Sequence, residues 1–256
     1  MYSLKNKIVF ITGASSGIGR SCVKAFAAQG ARLILAARRA ERLEKLAVEL
    51  KTEHGPDILV LKLDVRDPEA VAAAVAGLTA EWAAIDVLVN NAGLSRGLDK
   101  LHEGKLQDWD EMIDTNIKGL LYVSRAVIPG MVARGRGHVI NIGSIAGREV
   151  YPSGNVYCAT KFAVNALTKG MRLDLNGTGV RVSTVDPGLT ETEFSVVRFH
   201  GDAGRAGKVY QGYAPLAPED IADAVVYCAT RPMHVDVAEM LVLPTAQAST
   251  TLIHRK

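Results

Sequence analysis

Short β-branched runs that alternate with longer helical patterns predict an α/β fold, a doubly wound parallel sheet of about seven strands with helices on both faces. Two further observations support it. The strand runs are near-continuously apolar rather than alternating, as expected for strands buried on both faces. The chain of 256 residues is 48% hydrophobic and shows no internal repeat, low-complexity tract or linker, so residues 1–256 read as a single domain.

The elements follow in order. Lys7-Ile8-Val9-Phe10-Ile11-Thr12 is the first buried strand, and a glycine turn leads into a helix that runs to about Gln29. Arg32 to Ala36 is the second strand, followed by a helix from Ala40 to Lys51 dense in Glu, Arg and Leu. Ile58 to Leu63 is the third strand. Asp67-Pro68 then supplies an N-cap acceptor and a proline at the first helical position, where its missing N–H costs nothing. Asp86 to Asn90 is the fourth strand, and the pattern predicts one long helix from about Asp108 to Arg134. His138 to Ile142, a helix over roughly Asn155 to Asn176, Val180 to Val185, a helix over Pro218 to Thr230 and Met240 to Leu243 complete the series. Residues 188–217 break the rhythm: they are rich in Gly and charge, with no clear strand, and read as a substrate lid.

Thr12-Gly13-Ala14-Ser15-Ser16-Gly17-Ile18-Gly19 lies between the first strand and its helix. Glycines there permit a tight turn and close approach of backbone to a pyrophosphate, and the helix N-terminus offers orphan N–H donors. Gly13, Ser15, Ser16, Gly17, Ile18 and Gly19 are therefore candidate cofactor contacts on a Rossmann-type sheet. At the end of the second strand an NAD site places Asp or Glu for the ribose 2′-hydroxyl. Here Ala37 stands there, followed by Arg38 and Arg39. Guanidinium groups suit a 2′-phosphate, which favours NADP. Asp64-Val65 and Asn90-Asn91-Ala92-Gly93 end the third and fourth strands at the carboxyl edge. Asp64 suits the adenine amine and Asn91 and Gly93 the ribose pocket, although each is also at home as a turn residue.

Tyr157 and Lys161 are four residues apart and follow Ser144 by thirteen. Positions i and i+4 share a helix face. A phenol near pKa 10 transfers protons poorly at neutral pH, and a neighbouring cation lowers that value. The pair is suited to moving a proton at a carbonyl or alcohol oxygen.

Composition narrows the partners. Thirty Lys and Arg against 27 Asp and Glu give a net charge of +3 with no basic block, which does not suggest nucleic acid or a membrane surface. Cys22, Cys158 and Cys228 are too sparse for a disulfide framework, and the six histidines form no metal-ligand cluster, so no metal is expected. Only Met1 to Asn6 precede the first apolar run, too few for a signal peptide, and no stretch has the length of a membrane span. A cytoplasmic protein is the expectation.

Taken together, Thr12–Gly19, Asn90–Gly93, Asn116, Ser144, Tyr157-Cys158-Ala159-Thr160-Lys161 and Pro187-Gly188 resemble the short-chain dehydrogenase/reductase family in its "classical" subgroup, over nearly the whole chain. The stretches Asp186 to Ser195, Val197 to Asp202, Arg231 to Val235 and Leu243 to Gln247 resemble NADP-dependent 3-hydroxy acid dehydrogenases. The resemblance implies nicotinamide-dependent oxidoreduction, a homotetramer, and small hydroxy or oxo acids of the serine, allo-threonine or 3-hydroxypropionate type. It also implies catalysis by Ser144, Tyr157 and Lys161 assisted by Asn116. Ser144 would hold the reacting oxygen. Lys161 would lower the Tyr157 pKa and bind the nicotinamide ribose, and Asn116 would hold a water linking Lys161 to solvent. Pro187, Gly188, Thr190 and Thr192 would flank the nicotinamide and pyrophosphate. For the substrate carboxylate, Arg148 and Arg198 are candidates, with Tyr151 a further pocket residue or a packing one. Two competing readings are a reductase of larger apolar ketones or sugars and a catalytically silent NADP-binding sensor.

Overall fold

The computed structural model describes residues 2–53 and 55–256. Seven strands lie in the order β3-β2-β1-β4-β5-β6-β7, and all six pairings are parallel. They are β1 (Ile8–Thr12), β2 (Arg32–Ala37), β3 (Ile58–Lys62), β4 (Val87–Asn90), β5 (Gly137–Ile142), β6 (Val180–Pro187) and β7 (Glu239–Val242). Each was legible in the sequence, with ends displaced by one or two residues. The helices are α1 (Gly17–Ala28), α2 (Ala40–Glu53), α3 (Pro68–Ala76), α4 (Leu106–Ile113), α5 (Leu120–Ala133), α6 (Asn155–Asp174), α7 (Phe194–Arg198), α8 (Ala203–Lys208) and α9 (Pro218–Ala229).

The strand order reverses between β1 and β4, so a crevice opens at their carboxyl ends, where open α/β sheets bind ligands. Side chains alternate along each strand and fill two apolar layers. Val9, Ile11, Leu33 and Leu35 pack against Val23, Phe26, Leu43 and Val225 of α1, α2 and α9. Phe10, Ile34, Leu88 and Val182 pack against Val71, Val123, Val127 and Met131 of α3 and α5. The cap predicted at Asp67 is made: its carboxylate accepts from the Ala70 N–H at 2.9 Å, with Pro68 at the first turn.

Two expectations change. The long helix over 108–134 is interrupted by a π turn at Asp114–Gly119, which separates α4 from α5. π turns commonly sit at functional sites, and this one carries Asn116. The 188–217 segment contains α7 and α8, whose helical pattern is diluted by Gly201, Gly204 and Gly207. Among the described residues, no helix is long and apolar enough to cross a membrane, and no group of three or more His, Cys, Asp and Glu could hold a metal.

Buried amides tie the sheet to the helices beneath the crevice. Asn90 Nδ2 donates to Ser124 Oγ at 3.0 Å and to Asn141 Oδ1 at 2.9 Å, and Asn141 Nδ2 donates to Thr168 Oγ1 at 2.9 Å. Each buried polar group left unpaired costs ~1–3 kcal/mol. Asn141→Ala is therefore expected to lower the urea midpoint by more than its lost volume requires. A midpoint within error of the parent protein would show that the network is dispensable.

Candidate active site

At the adenosine end of the crevice the glycine turn is tight because nothing larger fits. Gly13 and Gly17 have φ of +64° and +51°, and a Cβ on Gly19 would meet the Gly13 carbonyl at 2.4 Å. Asn91 braces this turn: its Nδ2 donates to the Thr12 and Gly13 carbonyls at 2.9 and 3.2 Å. Thr12 Oγ1 accepts from the Asn91 and Ala92 N–H groups at 3.1 and 3.0 Å. The two arginines after β2 take different places. The exposed Arg38 guanidinium has no ion pair or hydrogen bond among the described residues, whereas Arg39 donates to Ser15, Ser16 and Glu193. Burial pushes the Asp64 carboxyl up, but hydrogen bonds from Arg66 outweigh it and hold Asp64 below its ordinary value. Both Asp64 oxygens accept from Arg66, so this carboxylate is already engaged where an adenine amine was expected to donate.

The crevice continues as a cleft of about 610 Å³ from Arg38 to Tyr157. Gly13, Ser15, Ser16, Gly17, Ile18, Arg38, Arg39, Asp64, Val65, Asn91, Ala92 and Gly93 line one part of it, and Ser144, Tyr151, Tyr157, Lys161, Pro187, Gly188, Thr190, Thr192 and Arg198 the other. Ser144 follows β5, its Oγ accepts from the Ala146 N–H at 3.0 Å, and its hydroxyl opposes the rise of the Tyr157 pKa. Tyr157 and Lys161 lie one turn apart on α6, both buried. Lys161 Nζ donates to the Ile142 carbonyl at 2.9 Å, leaving its other ammonium hydrogens for the cleft. Burial lowers its pKa to about 8, opposed by Asp186. Thr190 Oγ1 donates to the Gly188 carbonyl, and Thr192 Oγ1 accepts from the Phe194 N–H. Gly188 is required by Gln247 and Leu243, which a Cβ would meet at 2.4 and 2.8 Å.

The structure bears on three expected roles and corrects one, that of Arg148. Burial raises the Tyr157 pKa above its ordinary value, and the charge opposing it is Arg198, whose guanidinium lies 5.2 Å from the ring centroid. The Lys161 amine stands 6.0 Å from that centroid. The Asn116 side chain is committed elsewhere: Oδ1 accepts from the Leu94 N–H, and Nδ2 donates to the Leu94 carbonyl and Thr160 Oγ1. These bonds fasten the loop after β4 to α6, and Asn116 Oδ1 and Lys161 Nζ both face the same point beside Gly93. Arg148 is not a carboxylate clamp. It neutralises the fully buried Asp186 at 2.7 Å and pairs with Glu239 at 2.8 Å, outside the cleft.

Arg198 survives as the candidate. Its Nε donates to Ser95 Oγ at 3.0 Å and its Nη2 to the Tyr151 hydroxyl at 2.9 Å, and it has no carboxylate partner among the described residues. The Gly97 N–H donates to the Arg198 carbonyl at 2.9 Å, which docks α7 on the loop after β4. Sequence reasoning missed Arg96, Tyr210 and Glu193 on the cleft wall. Glu193 lies inside the stretch quoted above for its resemblance, but nothing local announces its partner across the cleft.

A dinucleotide cleft at the sheet's switch point, with Ser144, Tyr157 and Lys161 on its wall, defines a dehydrogenase of the Rossmann-type α/β class. The short chain dehydrogenase family model matches residues 7–202, and the chain belongs to that family. It is 47% identical over 251 residues to the NADP-dependent 3-hydroxy acid dehydrogenase YdfG of Escherichia coli (strain K12), which covers 97% of this chain and 100% of that one. It is 45% identical over 257 residues to the NADP-dependent 3-hydroxy acid dehydrogenase of Schizosaccharomyces pombe, covering 100% of this chain and 99% of that one. Among solved structures, the closed form of serine dehydrogenase complexed with NADP+ matches at a TM-score of 0.91 and 47% identity, over 97% of this chain and 100% of that one.

Tyr157→Phe keeps the ring and its edge contact with Phe194 but removes the hydroxyl. Folding is expected to persist while turnover falls by ~10²–10⁴-fold. Turnover close to that of the parent enzyme would remove Tyr157 from the proton-transfer role.

Proposed function

We propose that this chain is an NADP-dependent oxidoreductase that moves hydride between the nicotinamide and a small 3-hydroxy acid of the serine, allo-threonine or 3-hydroxypropionate type. One observation carries the reading: the Arg198 guanidinium, without a carboxylate partner among the described residues, lies against the Tyr157 ring in the same cleft that Arg38 lines. A cation with no carboxylate beside it favours an anion. A 2′-phosphate suits Arg38 and a substrate carboxylate suits Arg198. The names of the relatives support the same assignment.

The residues fit the cofactor. The glycine turn leaves no room for Cβ atoms where a pyrophosphate must approach, and Ser15 and Ser16 flank it. Arg38 would hold the 2′-phosphate, Lys161 the nicotinamide ribose, and Pro187, Gly188, Thr190 and Thr192 would border the nicotinamide and pyrophosphate. The chemistry supplied by the bound nicotinamide is hydride exchange. Ser144 donates to the reacting oxygen and fixes it beside the Tyr157 hydroxyl. In the reducing direction Tyr157 gives its proton to that oxygen as charge develops there. In oxidation Tyr157 takes the proton, assisted by the Arg198 charge. Arg198 would hold the carboxylate, with Tyr151 orienting the guanidinium. Residues 188–217, with α7 and α8, form the lid that excludes water from the transfer.

The buried, unpaired Cys22, Cys158 and Cys228 fit a cytoplasmic location. Exposed Leu121 and Val132 on α5 and Phe162 and Leu173 on α6 support a homotetramer built through these helices.

Mixing the protein with NADP and serine or 3-hydroxypropionate is expected to release NADPH, followed by its absorbance. No release with any member of a hydroxy acid panel would sink the reading. Arg38→Ala is expected to raise the KM for NADP about 10–150-fold while leaving that for NAD little changed, the loss of one charge-assisted contact. Equal kcat/KM for the two cofactors in the parent enzyme would contradict a phosphate site at Arg38.

Arg198→Ala is expected to weaken acid substrates more than neutral alcohols of similar size. The sign of its pH effect also follows. Arg198 lowers the Tyr157 pKa, so its loss raises that pKa and moves the rising, acid-side limb of the oxidation profile to higher pH. An equal loss for both substrate classes would remove Arg198 as the clamp.

A further inference from the structure

Glu193 reaches across the cleft from the residue that precedes α7. Its Oε2 accepts from Arg39 Nη1 at 3.0 Å and its Oε1 from Arg42 Nη1 at 2.7 Å. These arginines follow β2 and lie 154 and 151 positions earlier in the chain. Arg39 is fixed in turn to the glycine turn through Ser15 and Ser16. For Arg42 the Glu193 carboxylate is the only side-chain partner among the described residues.

The five-residue helix α7 is therefore anchored at both ends of the cleft. Its far end is docked through Arg198 beside Tyr157. Its near end meets the opposite wall where Glu193 pairs with Arg39 and Arg42 and where Thr192 lies against Gly17, 3.2 Å from the place a Cβ would occupy. Thr192 and Glu193 thus close against the glycine turn and the residues after β2, and this contact must open for a ligand to enter or leave the turn there. The Glu193 carboxylate is 46% exposed, and ion pairs of that exposure contribute little to folding. What they do control is the separation of two surfaces that must part for ligand exchange.

We propose that Glu193 is a latch: its ion pairs with Arg39 and Arg42 hold the lid to the adenosine wall of the cleft and set the rate at which the dinucleotide leaves. The inference rests on the NADP reading for the identity of what is retained. Glu193 touches neither the reacting atoms nor the catalytic residues, so it is a positioning residue. The latch acts before and after chemistry, when the cleft must open. A rival account has the carboxylate occupying Arg39 in place of the 2′-phosphate, to be displaced when NADP binds. That account predicts the opposite effect on affinity.

Release of NADPH, chased with excess NADP and followed by nicotinamide fluorescence in stopped flow, separates the two. Glu193→Gln is expected to raise the release rate by roughly 3–10-fold, the range for two exposed ion pairs acting together, and Arg42→Ala by less, because the Arg39 pair remains. The double variant is expected to be no faster than Glu193→Gln alone, because that change already removes both ion pairs. Glu193→Asp is expected to restore part of the slow release, since a carboxylate remains. Unchanged release in both single variants, or slower release with tighter NADPH binding in Glu193→Gln, would overturn the latch.

Limited proteolysis without any nucleotide supplies a readout independent of the cofactor. Cleavage within residues 188–217 is expected to be faster in Glu193→Gln than in the parent protein. Equal cleavage rates would overturn the latch even if NADPH binds. Failure of the parent protein to bind NADPH, with the difference in cleavage intact, would instead overturn the cofactor reading.

Discussion

The clasp between Thr12 and Asn91 is the contact on which the site depends. A doubly wound sheet diverges at its switch point, and the two central strands must part there without losing register. Thr12 closes β1 and Asn91 follows β4, and the two exchange side-chain and backbone hydrogen bonds across the gap. The glycine turn is thereby drawn against the β4 loop so closely that a Cβ on Gly13 would lie 2.8 Å from the Asn91 amide. This closeness excludes side chains and leaves backbone N–H groups facing the crevice. Asn91 thus serves the cofactor site as a brace for the turn that faces it.

One buried carboxylate is neutralised by an arginine that would otherwise have looked functional. Asp186, fully buried, is held by Arg148, and it fits only because Gly143 has no side chain: a Cβ there would overlap Asp186 Oδ1 at 1.9 Å. Asp186 in turn supports the charge on Lys161, whose pKa burial would otherwise depress further. With those pairs accounted for, the cleft retains Lys161, Arg38 and Arg198 facing its interior. Catalytic geometry and electrostatics are set by the same packing. The residues that bury Tyr157 raise its pKa, and the lid residue that approaches its ring lowers it again.

Much of this was legible in the order of residues, because the governing interactions are local. The strands show as apolar runs, the Asp67-Pro68 start of α3 as a cap and the cofactor turn as glycines at fixed spacing. The Tyr157–Lys161 pair shows because an α-helix places i and i+4 on one face wherever it occurs. Arg38 was identifiable from its position one residue after β2. The π turn at Asn116 was not legible. Nothing in Asp114-Thr115-Asn116 departs from a helical pattern, and the break is fixed by hydrogen bonds to Leu94 and Thr160, 22 residues before and 44 after.

The sequence by itself determined the class of fold and placed the glycine turn and the Tyr157–Lys161 pair, since each is written in spacing that backbone geometry translates directly. Only the tertiary structure decided which arginine does what. Arg39, Arg148 and Arg198 are indistinguishable as letters. Arg39 ties the glycine turn to the lid, Arg148 neutralises a buried carboxylate, and Arg198 alone of these three faces the cleft without an acidic partner among the described residues. A guanidinium takes its role from the charge opposite it. That charge is brought within 3 Å by chain folding across tens to hundreds of residues, a relation no local pattern encodes.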